Sequence, residues 1–500
     1  MYSEKEYQVK IRQLNRKVEK LKEKRIKDKT TLSSVRLSNK RLRQRALELK
    51  EGRNNWKSKH KHNQQTIKKL KATLAKNEKV ARHHYGRSLI SLCVLLRVKG
   101  GCSYRGVVRV LKVLLLCNLI EQHRLPCANT IQNWTSKVGL NTLQGAVNEP
   151  ISQQVTLIID ECIRKGKEKQ LIVLLTPFEK EQEESLTFQD VQVVHMEGAK
   201  SWKGKEIEET LSFLKTSENI IVKNVLSDEG KNLINFSNLS QRSHIPDIAH
   251  GVATCLKNTF LKDADYQSFM KLVAAYVYKG VNQDFSYLCP PKLGKKARFM
   301  NQSVIVDWAE ILTQRISQLD KKALTFFEQL PHHTSMIKHL ATCLDIGQQI
   351  QVPLKEQGAN KKTLATAKKM IEAGKKQEGY VSSFVSYLEK YINIYDDFID
   401  QHDVRNIQVS SDIIESLFGK YKSIANHSAL TGLTKLNLEL AIYCMKTDEL
   451  LTAIPTAIES IFMTDLEQWV NEHSSDNQLV KRRNFFKKEP IKEEVSTLLN

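Results

Sequence analysis

Apolar positions follow a heptad pattern through most of the first 80 residues. Starting at Tyr7, the seam positions recur every three or four residues and are mostly apolar, and no proline interrupts them. A repeat of about 3.5 residues held over this length predicts a left-handed coiled coil about 100 Å long. The apolar seam positions include Ile11, Leu14, Val18, Leu21, Leu32, Val35, Leu42, Leu49, Ile67, Leu70 and Leu74.

Residues 84–145 are rich in Leu and Val at helical spacing and predict three short helices. Ser103 is the expected N-cap of the second helix, and Gly139 is expected to end the third. Three short helices with a polar face on the last one are typical of a helix-turn-helix domain, although a small helical connector has a similar pattern. The predicted helices are Tyr85–Leu96, Tyr104–Cys117 and Ile131–Val138.

Between residues 150 and 254 the pattern changes to short, β-branched apolar runs separated by helices. Two runs within Val155–Leu175 flank a charged turn at Gly166 and predict a β-hairpin. Three further strands and the intervening helices predict a mixed five-stranded α/β sheet. The other predicted elements are strands Phe188–His195, Ile220–Leu226 and His244–Pro246, and helices Lys205–Lys215 and Lys231–Leu239.

The remainder of the chain is almost entirely helical in pattern. Residues 255–405 are too many for a loop and predict an inserted all-α domain, with breaks expected at Pro290, Pro331 and Pro353. Residues 406–470 are expected to complete the α/β core and add C-terminal helices. Residues 471–500 are polar and charged, and we expect a flexible tail.

The charge is concentrated at the N-terminus. The chain has 78 Lys and Arg against 55 Asp and Glu, a net charge of +23, of which residues 1–80 contribute +18. A basic arm of this kind favours a polyanionic partner, most often nucleic acid. A solvated basic coiled coil and a single basic helix lying along DNA remain alternatives.

The cysteine pattern and hydropathy limit the compartment. Nine cysteines are spread along the chain without a CxxC pair or a secretory leader, which predicts reduced thiols in a cytosolic or nuclear protein. No apolar run approaches the roughly 20 residues needed to cross a membrane.

Three carboxylates stand at the ends of predicted elements. Asp160 ends the first strand, Asp228 follows the fourth, and Glu415 lies on a late helix, where it shares a face with Asp412. Strand alternation places only one of Asp160 and Glu161 on the site side, and a strand end reaching solvent is the alternative for Asp160. Converging carboxylates repel unless a cation lies between them, and hard oxygen ligands suit Mg²⁺ or Mn²⁺. Two such ions about 3.5–4 Å apart can activate a nucleophile and stabilise the leaving oxygen of a phosphodiester.

The order of these elements resembles the RNase H-like fold of DDE transposases over residues 84–425. The segment from Asp247 to His250 resembles the Cys/Asp-x-x-His signature that several transposase superfamilies carry downstream of the second catalytic Asp. Glu415 follows Asp228 by 187 residues, which suits a helical insertion between them. The Ser-Tyr-Arg105 and Thr-Ile-x-x-Trp134 segments resemble the DNA-binding region of bacterial insertion-sequence transposases.

The resemblance implies that Asp160, Asp228 and Glu415 are the catalytic residues and bind two Mg²⁺ (or Mn²⁺) ions. Asp247 and His250 would be an accessory pair beside the site, although His250 is also suited to a core position capping the next helix. Trp202 is expected in the core, or stacked on a flipped base. Expected DNA-binding residues are Arg105, Gln132, Asn133, Lys137, Lys420 and Lys422.

The resemblance therefore implies an enzyme that cleaves DNA at transposon ends and joins it to a target by strand transfer. Its partners would be DNA and further copies of the chain in a homodimer or larger oligomer, with no membrane. It would be nucleoid-associated in a bacterial cytoplasm, or nuclear in a eukaryote. The alternatives are a non-catalytic DNA-binding or architectural protein derived from a transposase, and another RNase H-like nuclease.

Overall fold

Two compact units divide the chain, Met1–Glu78 and Lys79–Asn500. In the first unit the described segments are helical, and the seam residues Ile11, Leu14, Val18 and Leu21 are 45–65% exposed. Leu49 and Trp56, further along the predicted seam, are 70% and 68% exposed, whereas Leu32, Val35, Leu42, Ile67, Leu70 and Leu74 lie outside the described residues. The computed structural model describes residues 9–22, 45, 49–50, 52–61, 63–66, 80, 83–120, 124–163, 169–181, 184–292, 299–425, 434–473 and 478–487.

Three helices open the second unit. Ser103 caps the second of them by accepting a hydrogen bond from the backbone N–H of Gly106, as predicted. The third helix continues past Gly139, so the predicted end there is wrong. A Cβ atom at Gly139 would overlap the carbonyl oxygen of Leu438, which means that this glycine permits close packing instead of ending a helix. The helices are α1 (Arg87–Val98), α2 (Tyr104–Leu116) and α3 (Ala128–Asn148).

Within the described residues, a five-stranded mixed sheet follows in the order β3-β2-β1-β4-β5. Strands β1, β2 and β3 are antiparallel neighbours, and β4 and β5 run parallel to β1. The predicted mixed five-stranded sheet is confirmed, although β3 begins at Gln192 because the residues from Phe188 to Asp190 form a 3₁₀ turn. The strands are β1 (Gln154–Ile163), β2 (Lys169–Pro177), β3 (Gln192–Ala199), β4 (Ile221–Ser227) and β5 (Ser243–Pro246).

Both faces of the sheet are buried, as expected for apolar strands covered by helices on two sides. Leu157 and Ile159 face a smaller core shared with the helices that follow β3 and β4. Ile158 and Ile172 face a larger core that continues into the helical region. The predicted helix Lys205–Lys215 is two helices, and the three helices of the smaller core are α4 (Gly204–Thr210), α5 (Phe213–Thr216) and α6 (Lys231–Leu239).

The helical region packs directly on the large core of the sheet, with buried Phe384 and Leu388 in the same cluster as Ile158. Pro353 lies inside a helix, so the predicted break there is wrong. Two short strands, β6 (Ala359–Asn360) and β7 (Asn406–Ile407), pair antiparallel. The helices are α7 (Ile248–Phe260), α8 (Ala264–Gly280), α9 (Gln302–Gln314), α10 (Lys321–Phe327), α11 (Thr334–Gln357), α12 (Lys361–Lys375) and α13 (Tyr380–His402).

The C-terminal helices return to the start of this unit. Buried Ile442, Leu450 and Ile454 share one hydrophobic cluster with Ile90 and Trp134 of α1 and α3. Of the predicted tail 471–500, residues 471–473 and 478–487 are helical, and the rest lies outside the described residues. The helices are α14 (Asp412–Ala425), α15 (Glu439–Tyr443), α16 (Thr447–Ser460), α17 (Met463–His473) and α18 (Gln478–Lys487).

The described part of the chain has no helix long and apolar enough to cross a membrane. The free thiols are Cys93, Cys102, Cys117, Cys127, Cys255, Cys289, Cys343 and Cys444. The architecture is therefore an α/β domain with extensive helical regions, in which three adjacent strands end at one edge of the sheet.

Candidate active site

The parallel register aligns three aspartates at one edge of the sheet. Ile158 of β1 pairs with Leu226 of β4, and Asp160 and Asp228 each lie two residues further along. Ser227 of β4 pairs with Pro246 of β5, and the next residue is Asp247, whose N–H donates to the carbonyl oxygen of Ser227 at 2.9 Å. The carboxyl ends of β1, β4 and β5 therefore each present an aspartate at the same edge.

Asp160, and not Glu161, faces the candidate site. Glu161 forms an ion pair with Lys169 across the hairpin, in which its Oε2 accepts a hydrogen bond from Lys169 Nζ at 2.7 Å. The alternation of side chains along β1 turns Asp160 to the opposite face, which it shares with Ile158. Burial, followed by the negative charge of Asp228, raises the pKa of Asp160 to about 7, and Glu415 and His250 also act on it electrostatically. The four side chains thus lie in one electrostatic cluster.

Asp228 lies in the turn between β4 and α6. Its Oδ1 accepts a hydrogen bond from the N–H of Gly230 at 3.0 Å, which fixes the carboxylate against its own turn. The neighbouring Glu229 accepts a hydrogen bond from the hydroxyl of Tyr391 on α13. The helical region therefore holds the turn that carries Asp228.

Asp247 connects the sheet edge to the helix that carries Glu415. Its carboxylate is almost fully buried and caps α7 by accepting the N–H of His250 at 2.8 Å. Its other oxygen accepts the backbone N–H and the hydroxyl of Ser411 at 2.6 and 2.9 Å. Burial alone would raise the pKa of Asp247, but hydrogen bonds from His250 and Ser411 lower it below its usual value. Because Ser411 directly precedes α14, Asp247 holds the start of the helix on which Glu415 lies.

His250 lies between Asp247 and Glu415. Its Nδ1 is 3.2 Å from Asp247 Oδ1, and its Nε2 is 3.9 Å from Glu415 Oε1. The hydrogen bond to Asp247 raises the pKa of His250 to about 9, so the ring is positively charged at neutral pH. Burial raises the pKa of Glu415, and the charge of His250 opposes this. The accessory pair expected from the sequence thus joins the predicted carboxylates.

A lysine that the sequence did not single out also lies beside Glu415. Lys355, near the end of α11, donates to Asp412 Oδ2 at 2.7 Å and acts electrostatically on Glu415. Its position, like those of Ser411 and Tyr391, follows from how distant helices pack. No local motif marks these three residues, so sequence patterns could not have identified them.

The predicted DNA-contacting residues are placed differently from one another. Lys137 is buried and does not face solvent as its predicted role requires, because α3 packs against the C-terminal helices. Asn133 accepts a hydrogen bond from Lys435 at 2.6 Å, and Gln132 is half-buried. Lys420 and Lys422 are exposed on α14.

Helix α2 presents the exposed cations of the N-terminal helices. Arg105, Arg109 and Lys112 are exposed and recur at spacings of four and three, so they share one helical face. Only Arg105 was predicted. The spacing of these three cations is visible in the sequence. The prediction of DNA contacts instead followed the polar face of the third helix, which is the usual position of the recognition helix in a helix-turn-helix domain.

Known proteins give no further guide to the function of this site. Neither models of protein families nor curated proteins match the chain. In the described part of the chain, no group of three or more His, Cys, Asp and Glu side chains is arranged, as placed, to hold a metal ion. The functional assignment therefore depends on the geometry and electrostatics of the residues at the sheet edge.

Proposed function

We propose that the protein is a DNA transposase of the RNase H-like, DDE type, which cleaves DNA at transposon ends and joins it to a target. The observation that carries this proposal is the convergence of Asp160, Asp228 and Glu415 at one edge of the sheet. These residues come from three elements far apart in the sequence. The antiparallel hairpin, the parallel fourth and fifth strands and the late helix follow the order that the resemblance implies.

The donor set suits divalent cations. Burial is the largest cause of the raised pKa values of Asp160 and Glu415, and neighbouring carboxylates raise them further, so a bound cation would stabilise both charged groups. Carboxylate oxygens are the ligands that Mg²⁺ and Mn²⁺ prefer. Asp160, Asp228 and Glu415 would hold two ions, which when bound activate the attacking oxygen and stabilise the leaving oxygen of a phosphodiester.

The surrounding residues have positioning roles in this proposal. Asp247 orients α14 through Ser411, and Tyr391 orients the Asp228 turn through Glu229. The charged ring of His250 reduces repulsion between Glu415 and the aspartates. DNA would contact the exposed basic face of α2, formed by Arg105, Arg109 and Lys112, together with the basic N-terminal arm.

A second candidate function is a non-catalytic DNA-binding protein. The basic face of α2 and the basic N-terminal arm support it. These features would suffice for binding without cleavage.

A nicking assay separates the two functions. The substrate is supercoiled plasmid carrying the genomic segments that flank the gene, with Mg²⁺ or Mn²⁺ and with EDTA as control. The transposase proposal expects metal-dependent nicks at defined positions in these segments. DNA binding without any metal-dependent nicking would overturn it in favour of the binding protein.

A further inference from the structure

We infer that the groove between α4 and α6 binds a nucleic-acid strand that extends from the candidate active site. The inference rests on the proposed function and adds a binding site to it. The groove is an open depression with a volume of about 620 Å³, within the usual range for ligand pockets. It is lined by Trp202, Lys203, Gly204, Lys205, Lys231, Asn232, Asn235, Asn238 and Leu239.

The charge of the groove favours an anionic ligand. Lys203, Lys205 and Lys231 are exposed along its lining, and none of the described lining residues is acidic. Lys205 lies 3.6 Å from Glu209 in an exposed ion pair, which contributes little energy and can be exchanged for a phosphate. Lys203 and Lys231 form no ion pair with any described residue. Three lysines on one groove form a local positive site suited to phosphate groups.

The amides of the groove add hydrogen-bonding capacity. Asn232, Asn235 and Asn238 recur every three residues, so they line one face of α6. Their side chains make no hydrogen bond to the described part of the protein. An asparagine amide offers both donors and an acceptor, which match the edges of nucleotide bases. Lysines beside free amides suit a polynucleotide better than an acidic peptide, which offers carboxylates without base edges.

Trp202 forms the apolar base of the groove, and its burial leaves little of the ring open for stacking on a base. Its side chain is 6% exposed, and its Nε1 donates to the carbonyl oxygen of Lys169 at 3.3 Å. This hydrogen bond and its packing in the small core fix the ring. Trp202 therefore occupies the core position that was one of its two expected placements. The lysines and amides above it would make the contacts with the nucleic acid.

Gly204 determines how closely the two helices approach. A Cβ atom there would lie 2.7 Å from the Cβ of Asn235 and 2.8 Å from the backbone N of Phe236. Only a glycine allows α4 to begin directly against α6, which brings Lys203 and Lys205 beside the asparagines. The groove is thus a result of the sequence at this helix crossing.

The position of the groove connects it to the sheet edge. Lys231 follows Asp228 by three residues, so their Cα atoms are at most about 11 Å apart. Helix α6 has nine residues and is about 13 Å long. At about 3.4 Å per nucleotide along a strand, the helix spans about four nucleotides. Helix α6 covers the sheet face opposite the one that Asp160 shares with Ile158, so a strand with its reacting phosphate at Asp228 would reach the groove by passing over the end of β4 and Lys231.

The first test reverses the charge of the groove in the full-length chain. The groove variant is Lys203→Glu/Lys205→Glu/Lys231→Glu, and the matched control is Lys321→Glu/Lys322→Glu/Lys338→Glu, which changes three exposed lysines of the helical region. Binding of a fluorescent oligonucleotide is measured against salt concentration. Since each phosphate contact contributes roughly −0.7 to −0.9 to the log–log slope, the groove variant should flatten it by about 2 relative to the control. Equal slopes would overturn the inference.

Folding and ligand type are controlled within the same experiment. Circular dichroism and thermal melting test whether each variant folds. If either Lys→Glu variant does not fold, the corresponding triple Lys→Gln variants replace both. A free mononucleotide is added as competitor. If the groove binds only a phosphate group, a low concentration of mononucleotide should displace the oligonucleotide. Competition of this kind would overturn the strand-binding inference in favour of a nucleotide site.

The second test maps contact directly. A photo-crosslinking amino acid at Asn235 should crosslink to DNA, whereas the same residue at the exposed position Thr342 should not. Crosslinks from Asn235 without metal-dependent nicking by the wild-type chain would support the groove and contradict the transposase proposal. Nicking without crosslinks from Asn235 would contradict the groove and leave the transposase proposal standing.

Discussion

Asp247 shows how a single buried carboxylate can connect separate parts of a site. It accepts hydrogen bonds from His250 on α7 and from Ser411 ahead of α14, and its backbone joins β4. A buried carboxylate is costly unless its oxygens are hydrogen-bonded, and here the donors come from two elements. Asp247, which is not one of the three proposed metal ligands, therefore holds the elements of the site together.

The proposed ligands give a direct test at the residue scale. Asp160→Asn, Asp228→Asn and Glu415→Gln should each abolish strand cleavage, because each removes one negatively charged metal ligand. DNA binding, measured by fluorescence anisotropy, should change little, since no DNA contact is assigned to these carboxylates. Asp412→Asn is the control, since Asp412 lies on the same helix and pairs with Lys355. Mg²⁺-dependent cutting that survives any two of the three changes would contradict the assignment.

The raised pKa of Asp160 predicts a pH dependence of stability. Its pKa is about 7 in the folded chain against 3.8 ordinarily, so the folded state binds the extra proton. The contribution of Asp160 to stability in EDTA should therefore be lost as pH rises from about 4 through 7. Asp160→Asn removes this titration. The melting temperature of the variant minus that of the wild type should therefore increase as pH rises across this window. A constant difference between the two across the window would contradict the shift.

At the scale of elements, the N-terminal helices and C-terminal helices are joined by two ion pairs in contrasting environments. Arg97 and Glu439 are 6% and 0% exposed, with Nη2 and Oε2 2.7 Å apart, and the hydroxyl of Tyr104 also donates to Glu439. Arg87 and Glu459 join the same groups of helices at 2.9 Å but are 41% and 38% exposed. The same two groups of helices are thus joined by one buried and one exposed ion pair, whose contributions to stability can be compared directly.

Removing one partner from each pair should have very different effects. Glu439→Ala leaves the guanidinium of Arg97 buried and uncompensated, which should cost about 3–5 kcal/mol of unfolding free energy. Glu459→Ala removes an exposed partner and should cost about 0–1 kcal/mol. Urea unfolding followed by tryptophan fluorescence measures both, since Trp134 lies in the shared core. Similar midpoints for the two variants would show that Arg97 finds another partner.

Elements were predictable where local pattern decided them, and less so where packing did. The hairpin of β1 and β2 followed from two apolar runs around a charged turn, and Ser103 capped α2 as expected. The end of α3 was mispredicted because Gly139 allows close approach to Leu438, a contact that spans some 300 residues. The three carboxylates were chosen for their places near the ends of predicted elements; in the structure β1 continues past Asp160 to Ile163, and Glu415 lies in the first turn of α14. Ser411, Tyr391 and Lys355 could not be identified in this way, since their roles depend on long-range contacts.

At the scale of the whole molecule, the apolar seam of the N-terminal segment bears on assembly. The proposed joining of two DNA ends would require two active sites held together, and a heptad seam can pair two copies of the chain. Leu14 and Leu21 are 58% and 65% exposed in a single chain, although they occupy seam positions. Exposed leucines at this spacing favour association with another helix.

The seam therefore predicts how oligomeric state responds to mutation. Leu14→Asp/Leu21→Asp would place repelling carboxylates in a shared seam, where a buried charge is strongly disfavoured. The mass from light scattering should shift toward that of the monomer. The second unit should stay folded, as judged by circular dichroism. Gln13→Asp/Lys20→Asp adds the same number of carboxylates off the seam and should leave the mass unchanged. Joining of paired ends should fall more than nicking of single ends, because only joining needs two active sites. A seam variant that keeps the wild-type mass would show that dimerisation, and with it the pairing of ends, depends on another surface.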